Sequence, residues 1–128
     1  MSTQQNKAIV RRLWEEVWNQ NNLAVCDEIF APDYAEHEKG FRAYLQTVFP
    51  DSHHTIEDLI AEDDKVVTRF RISATHQGEF LGVPATGTPV KLTGIWIHRL
   101  EHGRIVEGQQ WGEWDALGFL QQVGAAPE

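Results

Sequence analysis

The sequence predicts one α+β domain, in which helices come first and an antiparallel sheet follows. Three observations lead to this prediction. The 128 residues fit one domain, spanning 1–128, with no room for a second. Apolar residues recur at helical spacing before Pro50 and in strand-like runs after it. We therefore expect the N-terminal helices to pack on the concave face of a curved sheet, and to leave a pocket because they cannot fill the whole hollow.

Three helices are predicted in the first fifty residues. Thr3 to Asn19 is amphipathic, with its apolar side chains three and four residues apart on one face. After a polar break, Leu23 to Phe30 forms a second, short helix that Pro32 stops. Gly40 to Phe49 forms the third helix, which Pro50 stops.

The rest of the chain predicts strands and one closing helix. The strand segments are rich in β-branched and aromatic residues, and they are His54 to Ala61, Val66 to His76, Val90 to Leu100 and Arg104 to Glu113. Gly78 to Pro89 contains three glycines and two prolines and is expected to be a bent loop. Asp115 to Gln122 is the closing helix.

Charge and composition exclude several classes of function. The formal net charge is −8, which repels phosphate, so binding to nucleic acid or to an anionic membrane is not expected. No apolar run approaches the roughly 20 residues of a membrane span. The single cysteine, Cys26, excludes a disulfide framework within the chain, and Met1 to Lys7 lacks the apolar core of a signal peptide. These features predict a cytoplasmic protein.

Short motifs along nearly the whole chain form an ordered set. They are Phe49-Pro50-Asp51, Glu57-Asp58-Leu59-Ile60-Ala61, Asp64-Lys65-Val66-Val67, Gly82-Val83-Pro84-Ala85-Thr86-Gly87, Gly103-Arg104-Ile105-Val106-Glu107 and Trp114-Asp115-Ala116-Leu117-Gly118-Phe119-Leu120. This set resembles the SnoaL-like polyketide cyclases. The chain departs from the family pattern at Glu38 to Gly40, a stretch that looks shorter than usual and predicts a trimmed pocket rim.

The resemblance implies a fold and an activity. The family belongs to the NTF2-like group, which implies a cone-shaped α+β domain that is commonly a homodimer. Its characterised cyclases close a ring by intramolecular aldol condensation without a metal or another cofactor. NTF2-like domains also include isomerases, dehydratases, epoxide hydrolases and binding modules, so the fold alone does not give the reaction.

Asp115 is the first candidate catalytic residue. The resemblance places the acid/base aspartate of the cyclases here, and burial among Trp111, Trp114 and Phe119 would raise its pKa towards neutrality. The alternative is an N-cap of the last helix, in which the carboxylate binds backbone N–H groups. Replacement by asparagine is expected to remove turnover if the first interpretation is correct.

His98 is the second candidate catalytic residue. Alternation along the strand puts Trp96, His98 and Leu100 on one face and Ile95 with Ile97 on the other. A histidine beside a tryptophan in a pocket can polarise a carbonyl or accept a proton. The pattern does not decide which face points inward, so a half-exposed histidine on an outer, dimer-forming face stays open.

Further side chains are candidates for binding a substrate. They are aromatic, imidazole or guanidinium groups near the expected pocket: Trp14, Tyr34, His37, His54, Arg69, Trp96 and Trp111. Surface exposure is the alternative for the histidines, and core packing is the alternative for each tryptophan. An inward Arg69 needs an acidic partner, for which Glu107 or Asp115 would serve, and such a pair can be purely structural. No zinc-ligand spacing is present, so no metal is expected.

The sequence thus leads to three hypotheses about function. The first is a cofactor-independent enzyme that acts on a small, apolar, enolisable carbonyl compound, as the resemblance implies. The second is a non-catalytic module that binds such a molecule in the same pocket. The third is another NTF2-like reaction, such as isomerisation or dehydration; epoxide hydrolysis ranks lower because it needs an arginine between two inward aspartates.

Overall fold

Four α-helices pack with a curved, unclosed antiparallel sheet, as predicted. The computed structural model describes residues 2–108 and 112–126. The helices are α1 (Thr3–Arg12), α2 (Cys26–Ile29), α3 (Pro32–Val48) and α4 (Ala116–Gln122). A π-helical segment, Leu13–Trp18, continues α1, and a 3₁₀ turn, Leu23–Val25, precedes α2. Ser2 caps α1 in a reciprocal capping box with Gln5.

The sheet contains three long strands and two short ones. They are β1 (His53–Glu62), β2 (Lys65–Thr75), β3 (Pro89–Glu101), β4 (Arg104–Glu107) and β5 (Glu113–Trp114). The order is β1-β2-β3-β4, and β5 also pairs with β3. The single strand predicted over Arg104 to Glu113 is therefore wrong: two short strands, β4 and β5, pair with different parts of β3.

Helix α3 begins eight residues earlier than predicted. Pro32, interpreted as a helix stop, occupies the first turn of α3, where its missing N–H costs nothing and its fixed φ favours the helix. Glu38 to Gly40 accordingly lies inside α3 and does not form a shortened pocket rim. This correction moves Glu38 from an expected loop into a buried helical position.

Alternation along β2 and β3 divides the sheet into two faces. Val66, Thr68 and Phe70 of β2 are buried beneath the helices, whereas Arg69 and Arg71 between and after them are exposed. The main core joins this inner face to α1, the π-helical segment and α2. A second apolar cluster centres on Phe119 of α4. Within 2–108 and 112–126, no helix has the length and apolar character needed to span a membrane.

Candidate functional site

A cavity of about 320 Å³ lies between α3, the π-helical segment and the inner face of the sheet. Its lining is largely aromatic and aliphatic, and comprises Trp18, Phe41, Arg42, Leu45, Phe49, Ser52, His54, Phe70, Ile72, Phe80, Leu81, Leu92, Trp96, Gly112 and Trp114. A smaller compartment of about 40 Å³ shares seven of these residues and adds Leu13, Trp14, Glu38 and His98. We call the first the main cavity and the second the inner compartment.

The π-helical segment determines how the first two tryptophans face this space. The Asn19 N–H donates to the Trp14 carbonyl at 3.1 Å. The acceptor thus precedes the donor by five residues, whereas in an α-helix it precedes it by four. The wider turn buries Leu13, Trp14, Val17 and Trp18 together. Such π-helical turns occur frequently at functional sites in other proteins.

Asn19 fixes the orientation of His54 on β1. Its amide binds both backbone groups of His54, accepting from the N–H at 2.7 Å and donating to the carbonyl at 2.9 Å. The same amide oxygen lies 3.2 Å from His54 Nδ1, which therefore carries the proton and leaves Nε2 as an acceptor. Burial first, and then the charge of Arg42, lower the pKa of His54 to about 3. The ring is neutral at physiological pH.

The inner compartment brings a carboxyl group and a second neutral imidazole together. Burial alone raises the pKa of Glu38 to about 7, and burial alone lowers the pKa of His98 to about 3. The His98 ring stacks on Trp96 with centroids 6.2 Å apart, and its Nδ1 is buried without a hydrogen-bond partner. A side chain at Gly108 would collide with Cδ2 and Nε2 of this ring. The imidazole is thus in close contact with Trp96 and with the Gly108 backbone.

The main cavity contains a buried cation. Arg42 is 3% exposed, and its guanidinium lies over the Trp18 ring, 5.3 Å from the centroid. Its Nε and Nη1 are buried without a hydrogen-bond partner, as are Ser52 Oγ and Trp96 Nε1. Burial lowers the Arg42 pKa, and none of the carboxylates that the structure describes acts in the opposite direction. Donors therefore predominate among the unpaired polar groups around this cavity.

Four of the residues predicted to bind or react lie at this site. Trp14 and His98 line the inner compartment, while His54 and Trp96 line both spaces. The strand-face alternation on β3 is confirmed, and the structure shows that the face of Trp96 and His98 is the inner one. These residues share the cavity, whereas their roles in binding or catalysis remain predictions.

The other predicted binding residues lie elsewhere. Tyr34 is half-buried and stacks on Phe30, and His37 is exposed one turn further along α3. Arg69 lies on the outer face, where its Nε donates to Asp58 at 2.7 Å; the proposed partners Glu107 and Asp115 do not hold it inward. Trp111 lies outside the described residues.

Asp115 takes the capping alternative. Its carboxylate accepts from the Gly118 N–H at 2.8 Å, at the N-terminus of α4. The side chain is exposed and borders a shallow groove on the outer face together with Arg69 and Ile95. The expectation that Asp115 is desolvated among aromatic residues is therefore wrong, because the cap turns the carboxylate towards solvent.

Sequence reasoning missed the two charged residues that α3 directs into the site, Glu38 and Arg42. The signal was their spacing: positions four apart share a helix face, and Phe41 and Leu45 belong to the same apolar stripe. The misplaced start of α3 concealed this pattern. Among the described residues, no three His, Cys, Asp or Glu side chains cluster closely enough to hold a metal ion.

Comparison with known proteins first identifies the fold as NTF2-like. The sequence profile of the SnoaL-like polyketide cyclases matches residues 8–123, and the chain belongs to this family. No curated protein matches it.

Several solved structures are similar over nearly their whole length. A provisionally named SnoaL-like polyketide cyclase from Jannaschia sp. CCS1 has a TM-score of 0.86 and 27% identity, covering 98% of this chain and 95% of its own. IdmH of Streptomyces antibioticus, provisionally named a polyketide cyclase, has a TM-score of 0.80 and 31% identity, with coverages of 94% and 99%. AclR of Streptomyces galilaeus, provisionally named a hydroxylase, has a TM-score of 0.84 and 26% identity, with coverages of 99% and 89%. Different activities are thus assigned to similar structures.

Proposed function

We propose that the chain is a cofactor-independent enzyme that closes a ring in a small, apolar, enolisable carbonyl compound by an intramolecular aldol reaction. The observation that carries the proposal is the inner compartment, where Glu38 and a neutral His98 border the same small space. The volume of the main cavity lies near the lower end of the roughly 300–1,000 Å³ that is typical of small-molecule pockets. Its apolar walls suit a compact, ring-forming compound.

The two groups suit opposite roles in proton transfer. A carboxyl group with a pKa of about 7 exists in both protonation states near neutral pH, which is the best condition for a group that takes a proton and returns it. A histidine with a pKa of about 3 stays neutral and donates an N–H hydrogen bond to a carbonyl oxygen. This pairing supports Glu38, rather than Asp115, as the proton carrier.

The reaction then balances without another reagent. The Glu38 carboxylate removes a proton from the carbon beside a carbonyl, while His98 stabilises the enolate oxygen that forms. The enolate carbon attacks a second carbonyl carbon of the same molecule, and a carbon–carbon bond closes the ring. Protonated Glu38 returns its proton to the resulting alkoxide, so that the product is an isomer of the substrate.

Proton exchange on a simple ketone tests the first step without the natural substrate. The chain is expected to accelerate the exchange of the C2 protons of 1-tetralone with D₂O, followed by NMR. Glu38→Gln is expected to reduce this acceleration by roughly 10²- to 10⁴-fold, the usual contribution of a positioned general base. His98→Phe is expected to reduce it as well, because the enolate oxygen loses its donor.

Glu36→Gln is the matched control. Glu36 lies on the same helix but is exposed and pairs with Lys39, so this variant is expected to retain full exchange activity. Full activity of Glu38→Gln, with the fold intact by circular dichroism, would show that Glu38 is not the proton carrier.

A non-catalytic binding module is the second candidate. The exposed position of Asp115 supports it, since the residue implied by the family resemblance does not border the cavity. Binding of 1-tetralone without accelerated exchange in the unaltered chain would favour this candidate. Exchange without ring closure on a diketone would instead favour the isomerase or dehydratase alternative.

We also propose that the chain works in the cytoplasm as a homodimer. The family resemblance supports the dimer, and the exposed Ile95 on the outer face gives an apolar contact point. Sedimentation velocity tests the assembly, and a monomer at micromolar concentration would exclude it.

A further inference from the structure

We propose that the ligand of this cavity carries a carboxylate and that Arg42 binds this group. The inference rests on the proposed function only in that the carboxylate belongs to the molecule whose carbonyl reacts in the inner compartment. It names a substrate class: a cyclic or ring-forming keto acid.

The first argument is the unpaired state of Arg42. A buried guanidinium without a counter-ion is costly, so buried charges in proteins are normally paired. Within the described residues no carboxylate forms an ion pair with Arg42, and at least two of its nitrogens have no acceptor. A ligand anion is the missing partner that removes this cost.

The surroundings of Arg42 favour an anion over a neutral acceptor. Ser52 and Trp96 border the same cavity with unpaired donors, and of the described lining residues none is acidic. The cation–π contact with Trp18 leaves the guanidinium N–H groups free to donate to a planar carboxylate. The net charge of −8 lies largely on exposed side chains, where salt screens it within about 8 Å, so the buried cation dominates inside the cavity.

The spacing of Glu38 and Arg42 on α3 predicts the distance between the carboxylate and the reacting carbonyl of the ligand. Arg42 and Glu38 are four residues apart on one helix face, which separates their Cα positions by about 6 Å along the axis. Arg42 borders the main cavity and Glu38 the inner compartment. The carboxylate is therefore expected to lie roughly one helical turn from the reacting carbonyl, with the apolar ring system between them.

Binding of two matched probes tests the proposal. Naphthalene-2-carboxylate and naphthalene-2-carboxamide have the same shape and differ in charge, and isothermal titration calorimetry gives Kd for each. The unaltered chain is expected to bind the carboxylate about 10- to 100-fold more tightly, which is the range for charge-assisted hydrogen bonds. Arg42→Met is expected to abolish this preference, and Arg42→Lys is expected to retain part of it because the charge remains.

Arg71→Met is the control, because Arg71 is exposed on the outer face beside Glu57 and its loss is expected to leave the preference unchanged. Equal affinity for the two probes, or no binding of the carboxylate by the unaltered chain, overturns the proposal. A preference that survives in Arg42→Met also overturns it.

Glu38→Gln separates this proposal from the proposed reaction. It is expected to lose 1-tetralone exchange and to retain the preference for the carboxylate. If the unaltered chain prefers the carboxylate but does not accelerate exchange, only the proposed reaction fails. If it accelerates exchange but shows no preference for the carboxylate, only the carboxylate site fails.

Discussion

The two faces of the sheet hold charged residues in opposite conditions. On the outer face, Arg69 and Arg71 are exposed and lie within 2.7 Å and 3.5 Å of Asp58 and Glu57. On the concave side, Glu38 and Arg42 are buried, and burial alone shifts the pKa of each. The outer-face arginines are paired and hydrated, whereas Glu38 and Arg42 are buried, and neither forms an ion pair with another described residue. This difference distinguishes the candidate site from the rest of the surface.

The largest expected effect is on the free energy of unfolding, and it is found by comparing two adjacent residues of β2 that lie on opposite faces of the sheet. Phe70 is buried against Trp14, with centroids 4.7 Å apart, and Phe70→Ala is expected to lower the free energy of unfolding by about 3 to 5 kcal/mol. Arg71→Ala removes an exposed ion pair and is expected to cost less than about 1 kcal/mol. Urea unfolding measures both, and similar values would remove the distinction between the faces.

The next effect concerns the stability cost of the buried carboxyl group. Glu38 titrates near pH 7 in the folded chain and near 4.5 when unfolded, so its burial destabilises the fold increasingly as pH rises through this interval. The free energy of unfolding of Glu38→Gln, relative to that of the unaltered chain, is therefore expected to increase by about 2 to 3 kcal/mol from pH 5 to pH 8.5. Urea unfolding at both pH values provides the test. Glu36→Gln should show no such gain, and a pH-independent effect of Glu38→Gln would contradict the buried carboxyl.

A third comparison uses the adjacent histidines of β1, of which His53 is exposed and His54 is buried. Because the folded-state pKa of His54 is lowered to about 3, the contribution of His54 to stability is full above pH 6.5 and falls as pH decreases from 6.5 towards 3. His54→Gln is expected to reduce this fall by about 1.4 kcal/mol per pH unit. His53→Gln is expected to change it much less, because the charge of His53 is the last of the three causes that lower the His54 pKa. Chemical unfolding between pH 4 and pH 7 measures the slopes; equal slopes in the two variants would refute the assignment.

The smallest expected effect is at Asp115. Asp115→Ala removes the N-cap of α4 and is expected to cost about 1 kcal/mol, while Asp115→Asn keeps a capping oxygen and costs less. Both are expected to retain 1-tetralone exchange, measured by NMR. Loss of exchange in Asp115→Asn together with retained exchange in Glu38→Gln would return the role of proton carrier to Asp115.

Periodicity predicted the fold because it depends on where apolar residues repeat. It placed α1 together with its π-helical continuation, β2 and β3 within a few residues of their observed bounds, and it grouped Trp96 with His98 correctly. The inward face of β3 was not predictable, because Ile95 and Ile97 make its other face apolar as well. Burial of a strand face is set by the partner element, which local sequence does not contain.

The charged half of the site was missed for a different physical reason. Pro32 was interpreted by its power to end a helix, although the same fixed φ suits a first turn, and the local sequence allows both. With α3 begun too late, Glu38 fell in a loop and its relation to Arg42 was lost. Asp115 shows the converse error, since a residue matched to the family motif was assigned a burial that the fold does not give it.

The tryptophans that line the cavity also allow ligand binding to be followed by intrinsic fluorescence. Trp18, Trp96 and Trp114 border the main cavity, and Trp14 borders the inner compartment. Indole emission is sensitive to solvent polarity and to nearby quenchers, so an occupant that displaces water changes the intrinsic fluorescence. Alicyclic keto acids that do not absorb at the tryptophan wavelengths can thus be screened by fluorescence titration without a label. A change in emission identifies the compounds that bind in the cavity.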